Sequence, residues 1–376
     1  MNAYHVPRSL AHLTHRKLRQ EILQALEPIL FEPLNFDHAA EKKLEAGLAA
    51  AVGRKHTLTV NSATSGLFLA LVACGIGAGD EVITVGNSDI STTAAISHCG
   101  ARPVFCDICA NDFTIDTGLV EALITPCTKA ILPVDLYGHP ADVKTLRALA
   151  DRFGLKIIED AALAMGARDH GQPVGTFADA IVFSFGTYKP VGSLGNGGMV
   201  ATDDDEIAER LHLFRGYGRS LKDTTHPGYA MYHQVEGYNL SLDPLQAAIV
   251  LVKLPYLEQW TRRRREIAAI YAAGLEGTSV TLPSFRATPE PLFHSYVIRT
   301  ARRDEIHREL RRQGVETALH YWPPILQQPV YQNRGHTAGP LTVTNQVAQE
   351  FICLPTPPEL DDDEARFVVD ALKSLL

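Results

Sequence analysis

The amino-acid sequence predicts an α/β protein with a doubly wound, mostly parallel sheet in a large domain, followed by a smaller α+β domain. Short β-rich runs alternate with amphipathic helical stretches between residues 57 and 215, a pattern typical of a parallel sheet covered by helices. The chain has 376 residues, more than the ~250 to 300 at which one core usually stops growing. We therefore expect a large domain over residues 1–250, which includes an N-terminal helical segment, and a small C-terminal domain over residues 251–376.

The predicted strands of the large domain are short runs rich in β-branched and apolar residues. They cover residues 57–60, 81–85, 103–106, 129–134, 156–159, 180–185 and 199–202. Amphipathic stretches predict helices at residues 64–74, 91–99, 141–153 and 203–215. Glycine- and proline-bearing turns fall at the joints, for example at residues 77–80, 100–103 and 138–140. Because helices separate the strands, the connections should be crossovers that make neighbouring strands parallel.

The second half of the chain predicts helices that lead out of this domain and a small mixed lobe. Residues 245–273 have helical patterns, and residues 283–291 form an irregular, proline-bearing joint. Beyond it we expect a strand at 295–300, a helix at 304–313 ended by Gly314, and a strand at 317–321. A final helix begins at Asp361, where acidic residues suit the positive end of a helix dipole.

Composition excludes several classes of protein. The chain is 45% hydrophobic and 21% charged, as folded proteins are, and no run of about 18 apolar residues could cross a bilayer. The N-terminus lacks the apolar core of a secretory signal, so we expect a cytoplasmic protein without a membrane partner. A net charge of −8 argues against nucleic-acid binding. Four arginines at residues 262–265 fall in a predicted helix, where a solvated or subunit-facing side explains them.

The six cysteines do not form a disulfide framework in a chain of this length. Cys106 and Cys109 have CxxC spacing, but neither a second cysteine pair nor a histidine pair completes a tetrahedral zinc site. Packing at a strand end is the favoured interpretation of this pair. We therefore expect no bound metal.

Lys189 and Asp160 are the candidate catalytic residues. Lys189 lies between residues 183–188 and a segment with glycines at 192, 195, 197 and 198, which allow close backbone approach to a ligand; a plain surface lysine is the alternative. Asp160 ends the apolar run from Ile157, as a buried strand that delivers its last side chain to the carboxyl edge of a parallel sheet would; a helix cap or a solvated acid is the alternative. Pyridoxal phosphate requires an amine for covalent attachment and an acid for its ring nitrogen.

Two hydroxyl-bearing segments are candidates for holding a phosphate. Residues 61–66 (NSATSG) lie between a predicted strand and a predicted helix, where free backbone N–H groups and the Thr64 and Ser65 hydroxyls can bind an anion. A helix capped by Ser62 or Thr64 without any ligand is the alternative. Ser184, at the end of another strand, could donate to the same anion. Two such segments beside one lysine favour a phosphorylated cofactor.

The sequence resembles the DegT/DnrJ/EryC1/StrS family of pyridoxal-phosphate sugar aminotransferases. Matching segments extend over nearly the whole chain from about residue 20. They are residues 60–67, 75–82, 100–105, 136–142, 159–162, 184–198, 237–240, 246–248, 320–321 and 354–355. The resemblance implies the aspartate-aminotransferase fold, that is, pyridoxal-phosphate transferase fold type I, with a small α+β C-terminal domain.

The resemblance also implies roles for individual residues around the cofactor. Pyridoxal phosphate would attach to Lys189, and Asp160 would pair with its pyridinium nitrogen. Ala63, Thr64 and Ser184 would hold its phosphate. Lys189, once released, would then move a proton between the substrate carbon and the cofactor.

A homodimer and a sugar substrate are further implications of the resemblance. Asn239 matches the family residue that reaches the phosphate from the other subunit, which makes the implied active unit a homodimer with shared active sites. His320 and Tyr321 match a segment near the sugar. Glutamate or glutamine would donate the amine, and a keto sugar, expected to be nucleotide-linked, would accept it. The loop at residues 189–198 is similar to that of 3-keto-sugar aminotransferases in the family.

Two cofactor-binding positions depart from the family pattern. Asp89 occupies the place where an aromatic ring usually covers the pyridine, and an aspartate cannot stack. Leu163 replaces the glutamine or histidine that usually bonds to the cofactor's phenolic oxygen, and it has no polar atom to offer. A sugar dehydratase or other lyase, or an aminotransferase for a keto cyclitol, is therefore an alternative on the same fold. A third alternative is a cofactor-binding sensor without turnover.

Overall fold

The computed structural model describes residues 4–32, 39–219, 232–332, 336–337 and 339–376. Its strands are β1 His56–Val60, β2 Glu81–Val85, β3 Arg102–Cys106, β4 Thr128–Ile131, β5 Lys156–Asp160, β6 Arg168–Asp169, β7 Gln172–Pro173, β8 Ala180–Ser184, β9 Gly198–Thr202, β10 Tyr296–Arg299, β11 His336–Thr337 and β12 Phe351–Leu354. Its helices are α1 Ala11–Lys17, α2 Arg19–Phe31, α3 Ala39–Val52, α4 Ala63–Ala73, α5 Ile90–His98, α6 Thr117–Val120, α7 Val143–Phe153, α8 Asp205–Arg215, α9 Pro244–Lys253, α10 Leu257–Leu275, α11 Arg303–Arg312, α12 Thr342–Glu350 and α13 Asp362–Lys373.

The central sheet has the strand order β1-β9-β8-β5-β4-β2-β3-β11. The pairs from β8 through β11 are parallel, whereas β9 runs antiparallel to both β1 and β8. The mostly parallel α/β fold predicted from the sequence is therefore confirmed. The exception at β9 follows from its connection, because residues 185–197 join β8 to β9 without a crossover helix and the chain turns straight back.

Side-chain and glycine caps set the ends of the helices that border the sheet. Ser62 caps α4 by accepting a hydrogen bond from the Ser65 amide, and Asp142 caps α7 in the same way. Gly154 ends α7 in the left-handed conformation that glycine adopts without strain. Such caps satisfy N–H and C=O groups that have no partner inside the helix. The helix starts that face the carboxyl edge of the sheet are thus fixed in place.

A separate apolar cluster forms the core of the C-terminal lobe. It joins α10, α11 and α13 to β10 and β12. The N-terminal residues Val6 and Leu10 are buried in this cluster, and the Val6 amide donates to the Gly314 carbonyl at 2.9 Å. The N-terminal segment therefore packs on the C-terminal lobe. The domain boundary at residue 250 stays a prediction.

Three elements of the C-terminal lobe differ from the expectation or were absent from it. Residues 317–321 do not form a strand; Ala318 makes one isolated bridge to Cys353 of β12, on the edge opposite to β10. Helix α12 and strand β12 were not predicted.

No helix in the described ranges is long and apolar enough to cross a membrane.

Candidate functional site

A cavity of about 230 Å³ opens at the carboxyl edge of the parallel strands. The segments that follow β1, β2, β4, β5 and β8 each contribute to its wall. Ligands of open α/β sheets bind at this edge, because the ends of parallel strands and the starts of the following helices converge there. The cavity brings together most of the residues that the sequence identified: Ala63, Thr64, Asp89, Asp160, Leu163, Ser184, Lys189 and Tyr321.

One end of the cavity is suited to an anion. Ser62, Ala63 and Thr64 line it at the start of α4, where first-turn N–H groups have no acceptor inside the helix. Ser184, at the end of β8, lines the same cavity, and its Oγ accepts a hydrogen bond from the Gly186 amide at 3.3 Å. Backbone N–H groups at a helix start, with hydroxyls beside them, form an anion site of the kind that binds phosphate.

Gly198 allows the start of α4 to approach the sheet closely. A Cβ at position 198 would lie 2.7 Å from the Ala63 nitrogen and 2.9 Å from the Phe183 oxygen. Real Cβ atoms do not approach backbone atoms so closely, and backbone cannot move aside as a flexible side chain can. A glycine at this position therefore holds the anion-binding end of the cavity against β8 and β9.

Asp160 is a buried carboxylate without an ion pair among the described residues. Its Oδ2 accepts a 2.8 Å hydrogen bond from Thr92 Oγ1, and its Oδ1 accepts one of 3.2 Å from the Ala162 amide. Burial raises its pKa, while the two hydrogen bonds and the charge of Lys189 act in the opposite direction. A buried carboxylate is stabilised by a cation, so a protonated ring nitrogen in the cavity would suit Asp160. The solvated-acid alternative is wrong.

Lys189 lines the same cavity from the loop between β8 and β9. Its amide donates to the Gly186 carbonyl at 2.9 Å, which closes a turn. Burial lowers the pKa of the Lys189 amine, and the charges of Asp160 and Asp89 partly oppose this effect. The neighbouring Tyr188 side chain, by contrast, is 67% exposed. Lys189 is therefore positioned in the site rather than on an open surface.

Behind Asp160 lies a pair of buried acids that sequence analysis did not identify. Asp135 and Glu159 are 0% and 1% exposed, and each acts on the pKa of the other. Burial raises the pKa of both, that of Glu159 to about 7. The Asp135 amide donates to the Asp160 carbonyl at 2.9 Å. The backbone of Asp135, rather than the acid pair itself, therefore holds the strand end that carries Asp160.

The two positions that depart from the family pattern both lie in the cavity. Asp89 caps α5 by accepting a 2.9 Å hydrogen bond from the Ser91 amide, which gives it a structural role besides its charge. Leu163 is 7% exposed and lines the cavity with Val134 and Leu136. These apolar side chains can contact a flat ring. Leu163 places no hydrogen-bonding group there.

Of the residues predicted to contact the substrate or the partner subunit, only Tyr321 lines the cavity itself. Tyr321 lines the cavity, and the ring of His320 stacks on it with centroids 4.9 Å apart. Burial lowers the pKa of His320 to about 4, with help from the charges of Arg8 and Lys189. Asn239 is exposed and does not line the cavity. It pairs through its backbone with Gly216, so its side chain is available to a ligand or partner outside this chain.

The donor set of the cavity fits pyridoxal phosphate. One cavity combines an anion site, an uncharged apolar wall, a buried carboxylate without an ion pair among the described residues, and a lysine. The four features are represented, in this order, by Ser184, Leu163, Asp160 and Lys189. A phosphorylated aromatic aldehyde with a basic ring nitrogen meets all of them.

A family model described as the DegT/DnrJ/EryC1/StrS aminotransferase family matches residues 17–373. A pleiotropic regulatory protein from Geobacillus stearothermophilus is 40% identical over 361 residues, which are 95% of this chain and 95% of the relative. The dTDP-3-amino-3,4,6-trideoxy-alpha-D-glucose transaminase of Streptomyces venezuelae is 41% identical over 330 residues, which cover 88% and 85% of the two chains. The crystal structure of S. venezuelae DesV with a ketimine intermediate superposes with a TM-score of 0.93 at 37% identity, over 100% of this chain and 99% of that one.

Proposed function

The chain belongs to the DegT/DnrJ/EryC1/StrS aminotransferase family, and we propose that it transfers an amino group from L-glutamate or L-glutamine to a keto sugar carried on a nucleotide. Pyridoxal phosphate is its cofactor, in common with family members that carry this group or its aminated form. The observation that carries the proposal is the presence of Lys189 and Asp160 in one cavity at the carboxyl edge of the sheet.

Each cofactor-binding residue has a proposed role that its environment supports. The Lys189 amine is the attachment point, and its lowered pKa makes the neutral, nucleophilic form accessible. Asp160 keeps the ring nitrogen protonated. Ala63, Thr64 and Ser184 bind the phosphate.

The catalytic step depends on the same lysine. The bound cofactor supplies a carbonyl that exchanges amines with the substrate and a ring that accepts the electrons released at the substrate carbon. Lys189, when released, holds and moves the proton at that carbon. The buried carboxylate of Asp160 fixes the orientation of the ring during this transfer. His320 stays neutral at pH 7 because its pKa is about 4, so its contribution near the sugar is that of a neutral hydrogen-bonding ring.

The proposed acceptor is a nucleotide-linked sugar with its keto group at C3. This assignment rests on the loop at residues 189–198 and on the relative from S. venezuelae, whose name specifies a dTDP-linked 3-amino sugar. Tyr321, which lines the cavity, and His320, which stacks on it, are the residues proposed to contact the sugar. The product would enter amino-sugar biosynthesis.

A homodimer with shared active sites is part of the proposal. The exposed position of Asn239 supports it, because a side chain outside its own cavity can reach that of a neighbouring subunit. The proposed location is the cytoplasm, where the six cysteines, all free in this structure, would stay reduced.

Three other functions remain candidates, for two specific reasons. Leu163 and Asp89 both line the cavity and differ from the usual residues, which would suit a dehydratase or a keto-cyclitol aminotransferase. The best-known dehydratases of the family have histidine in place of the lysine, so Lys189 favours transamination. The name of the G. stearothermophilus relative favours a regulatory protein.

The proposed function is tested by mixing cofactor-loaded protein with glutamate alone or glutamine alone. We expect conversion of pyridoxal phosphate to pyridoxamine phosphate with at least one donor, measured by chromatography of the released cofactor. The Lys189→Ala protein, treated identically, is the control and should not convert. If neither donor gives pyridoxamine phosphate, transamination is ruled out, and a screen for sugar dehydration then separates the lyase from the regulatory alternative.

A further inference from the structure

A second cavity, of about 390 Å³, is lined in part by residues 187–190 and 192 of the loop that carries Lys189. We call it the basic cavity and define it by Arg8, Lys253, Arg264 and His294, all of which line it. Lys189 lines both cavities. A ligand in the basic cavity is therefore next to the residue at which the chemistry takes place.

Three cations face the basic cavity without a carboxylate partner among the described residues. Lys253 and Arg264 are 3% and 7% exposed. Lys253 Nζ contacts the Gly192 carbonyl and, at 2.8 Å, His15 Nε2, while Arg264 donates from one terminal nitrogen to the Thr356 carbonyl at 2.7 Å. The Nε of Arg264 is buried without a hydrogen-bond partner. Arg8 makes only a 3.5 Å contact with His320 through its guanidinium.

The acids of the basic cavity compensate this positive charge only in part, since the charge of Glu359 opposes the effect of burial on the pKa values of Lys253 and Arg264. Glu316 accepts a hydrogen bond from the Arg8 amide at 2.9 Å rather than from its guanidinium, and Glu359 accepts one from the Thr14 hydroxyl. Neither forms an ion pair with the three cations. Burial of like charges without a direct ion pair is unfavourable, so an anion in the cavity would stabilise this arrangement.

His294 adds a second unsatisfied polar group to the basic cavity. Its Nδ1 is buried without a hydrogen-bond partner. Burial is the main cause that holds its pKa well below the usual value, and the charges of Arg264, Lys189, His320 and Arg8 act in the same direction. The ring is therefore neutral and surrounded by cations. Neutral histidine can still donate one hydrogen bond to an anion.

We propose that the basic cavity binds a carboxylate of the amino donor, with Arg8 and Arg264 as the cations that recognise it. Its volume is at the low end of the range for ligand pockets, roughly 300 to 1,000 Å³, which suits an amino acid better than a complete nucleotide sugar. Guanidinium groups pair well with carboxylates. The phosphates of the sugar nucleotide are the other anion that could occupy the cavity, and the experiment separates the two. The inference rests on the proposed function, since it concerns the donor of that reaction.

Direct binding of glutarate to the cofactor-loaded protein is the first measurement. Glutarate has both carboxylates of glutamate but no amine, so it binds without reacting. We expect Arg8→Met to raise the calorimetric Kd by about tenfold or more, because one charged hydrogen bond is lost. Arg8→Lys should recover part of the affinity. Arg262→Met removes an exposed arginine of the same helix as Arg264, outside the cavity, and should leave the Kd unchanged.

Pre-steady-state kinetics of the two half-reactions is the second measurement. In Arg8→Met we expect a weaker apparent Kd for glutamate with a limiting rate within about threefold of wild type, because the lost interaction is equal in ground and transition states. The affinity for the sugar nucleotide should be unchanged.

Three results would overturn the proposal: unchanged glutarate binding in Arg8→Met, an equal loss in Arg262→Met, or a loss confined to the sugar nucleotide. If Arg8-dependent glutarate binding is found but neither donor aminates the cofactor, the carboxylate site stands and the proposed function fails.

Discussion

Thr92 Oγ1 donates a 2.8 Å hydrogen bond to Oδ2 of Asp160, and neither side chain is open to bulk solvent. Thr92 also contacts the Ser88 hydroxyl at 2.7 Å, so its own orientation is fixed. A hydrogen bond donated to a carboxylate favours the charged form. Helix α5 thus helps Asp160 to remain an anion despite its burial.

Removing this hydrogen bond should weaken cofactor binding. Thr92→Val removes the hydroxyl donor and leaves the shape of the side chain nearly unchanged. The pKa of Asp160 then rises further, and its carboxylate binds a protonated ring nitrogen less tightly. We expect the Kd for pyridoxal phosphate to rise about tenfold, the equivalent of one charged hydrogen bond, in a fluorescence titration of the cofactor-free protein. Thr92→Ser should bind nearly as wild type does. Thr93→Val is the matched control, because the hydroxyl that it removes bonds to the Ile90 carbonyl and not to Asp160. An equal loss of cofactor affinity in Thr93→Val would contradict the role of the Thr92 hydrogen bond.

Lys189 should be the residue that carries the cofactor. Borohydride reduction of the loaded protein is expected to fix pyridoxal phosphate to the peptide that contains Lys189, as measured by mass spectrometry. Lys189→Ala should lose both the visible absorption of the lysine-bound cofactor and the reducible adduct. Lys129→Ala, at an exposed lysine on β4, should behave as wild type. A stable adduct in Lys189→Ala would refute the assignment.

Leu163 should set the protonation behaviour of the bound cofactor. Leu163→Gln adds an amide donor to the cavity wall, where it can stabilise the anionic form of the cofactor's phenolic oxygen. We expect the pH midpoint of the visible absorption change to fall, because a hydrogen bond to the anion favours deprotonation. Leu163→Met has similar volume and no donor, and its midpoint should match the wild type. If the midpoint of the Leu163→Gln protein equals that of the wild type, the phenolic oxygen of the cofactor does not lie next to position 163.

Subunit complementation should show whether Asn239 acts across an interface. Lys189→Ala and Asn239→Asp are each expected to be inactive, the second because a negative charge opposes phosphate binding. After the two proteins are mixed and allowed to exchange subunits, half of the dimers combine both variants and have one intact site. About a quarter of wild-type activity should return. A mixture of Lys189→Ala with Lys189→Arg should stay inactive, and the absence of recovery in the first mixture would mean that Asn239 serves its own chain.

The buried acid pair should make stability depend on pH. The pKa of Glu159 is about 7 in the folded protein, against 4.5 for a glutamate outside any fold. The folded state therefore binds the carboxyl proton of Glu159 more tightly than the unfolded state does. The stabilisation is complete below about pH 4.5 and is lost as the pH rises through about 7. Between pH 5 and pH 8 we expect the wild-type Tm to fall by a few degrees more than that of Glu159→Gln. Glu121→Gln, at an exposed acid, should follow the wild type. Identical slopes in all three proteins would contradict the raised pKa of Glu159.

Much of the large domain could be predicted because its strands and helices have distinct periods. Strand 81–85 was predicted with the bounds that the structure has, and Asp160 was placed correctly at the carboxyl edge. The antiparallel direction of β9 was not foreseen, since a loop of glycines does not show by itself whether the chain crosses over or turns back. The strand expected at 317–321 alternates in sequence, but its pairing with β12 stops at the single bridge between Ala318 and Cys353.

The supporting residues of the site could not be identified from the sequence. Thr92 is 68 positions from Asp160, and a threonine in an amphipathic helix gives no indication of such a partner. Asp135 follows a strand, as many solvated acids do, and only its contact with Glu159 distinguishes it. Arg8 and Arg264 meet in the basic cavity because the N-terminal segment folds onto the C-terminal lobe, a contact that no local pattern encodes.

The crowding around Gly198 limits how this protein could be re-engineered. Any side chain at that position would push the first turn of α4 off the strands, so combinatorial libraries that seek a new sugar specificity should leave codon 198 untouched. Diversity is better introduced at Tyr321, which lines the same pocket through its side chain and leaves the first turn of α4 in place.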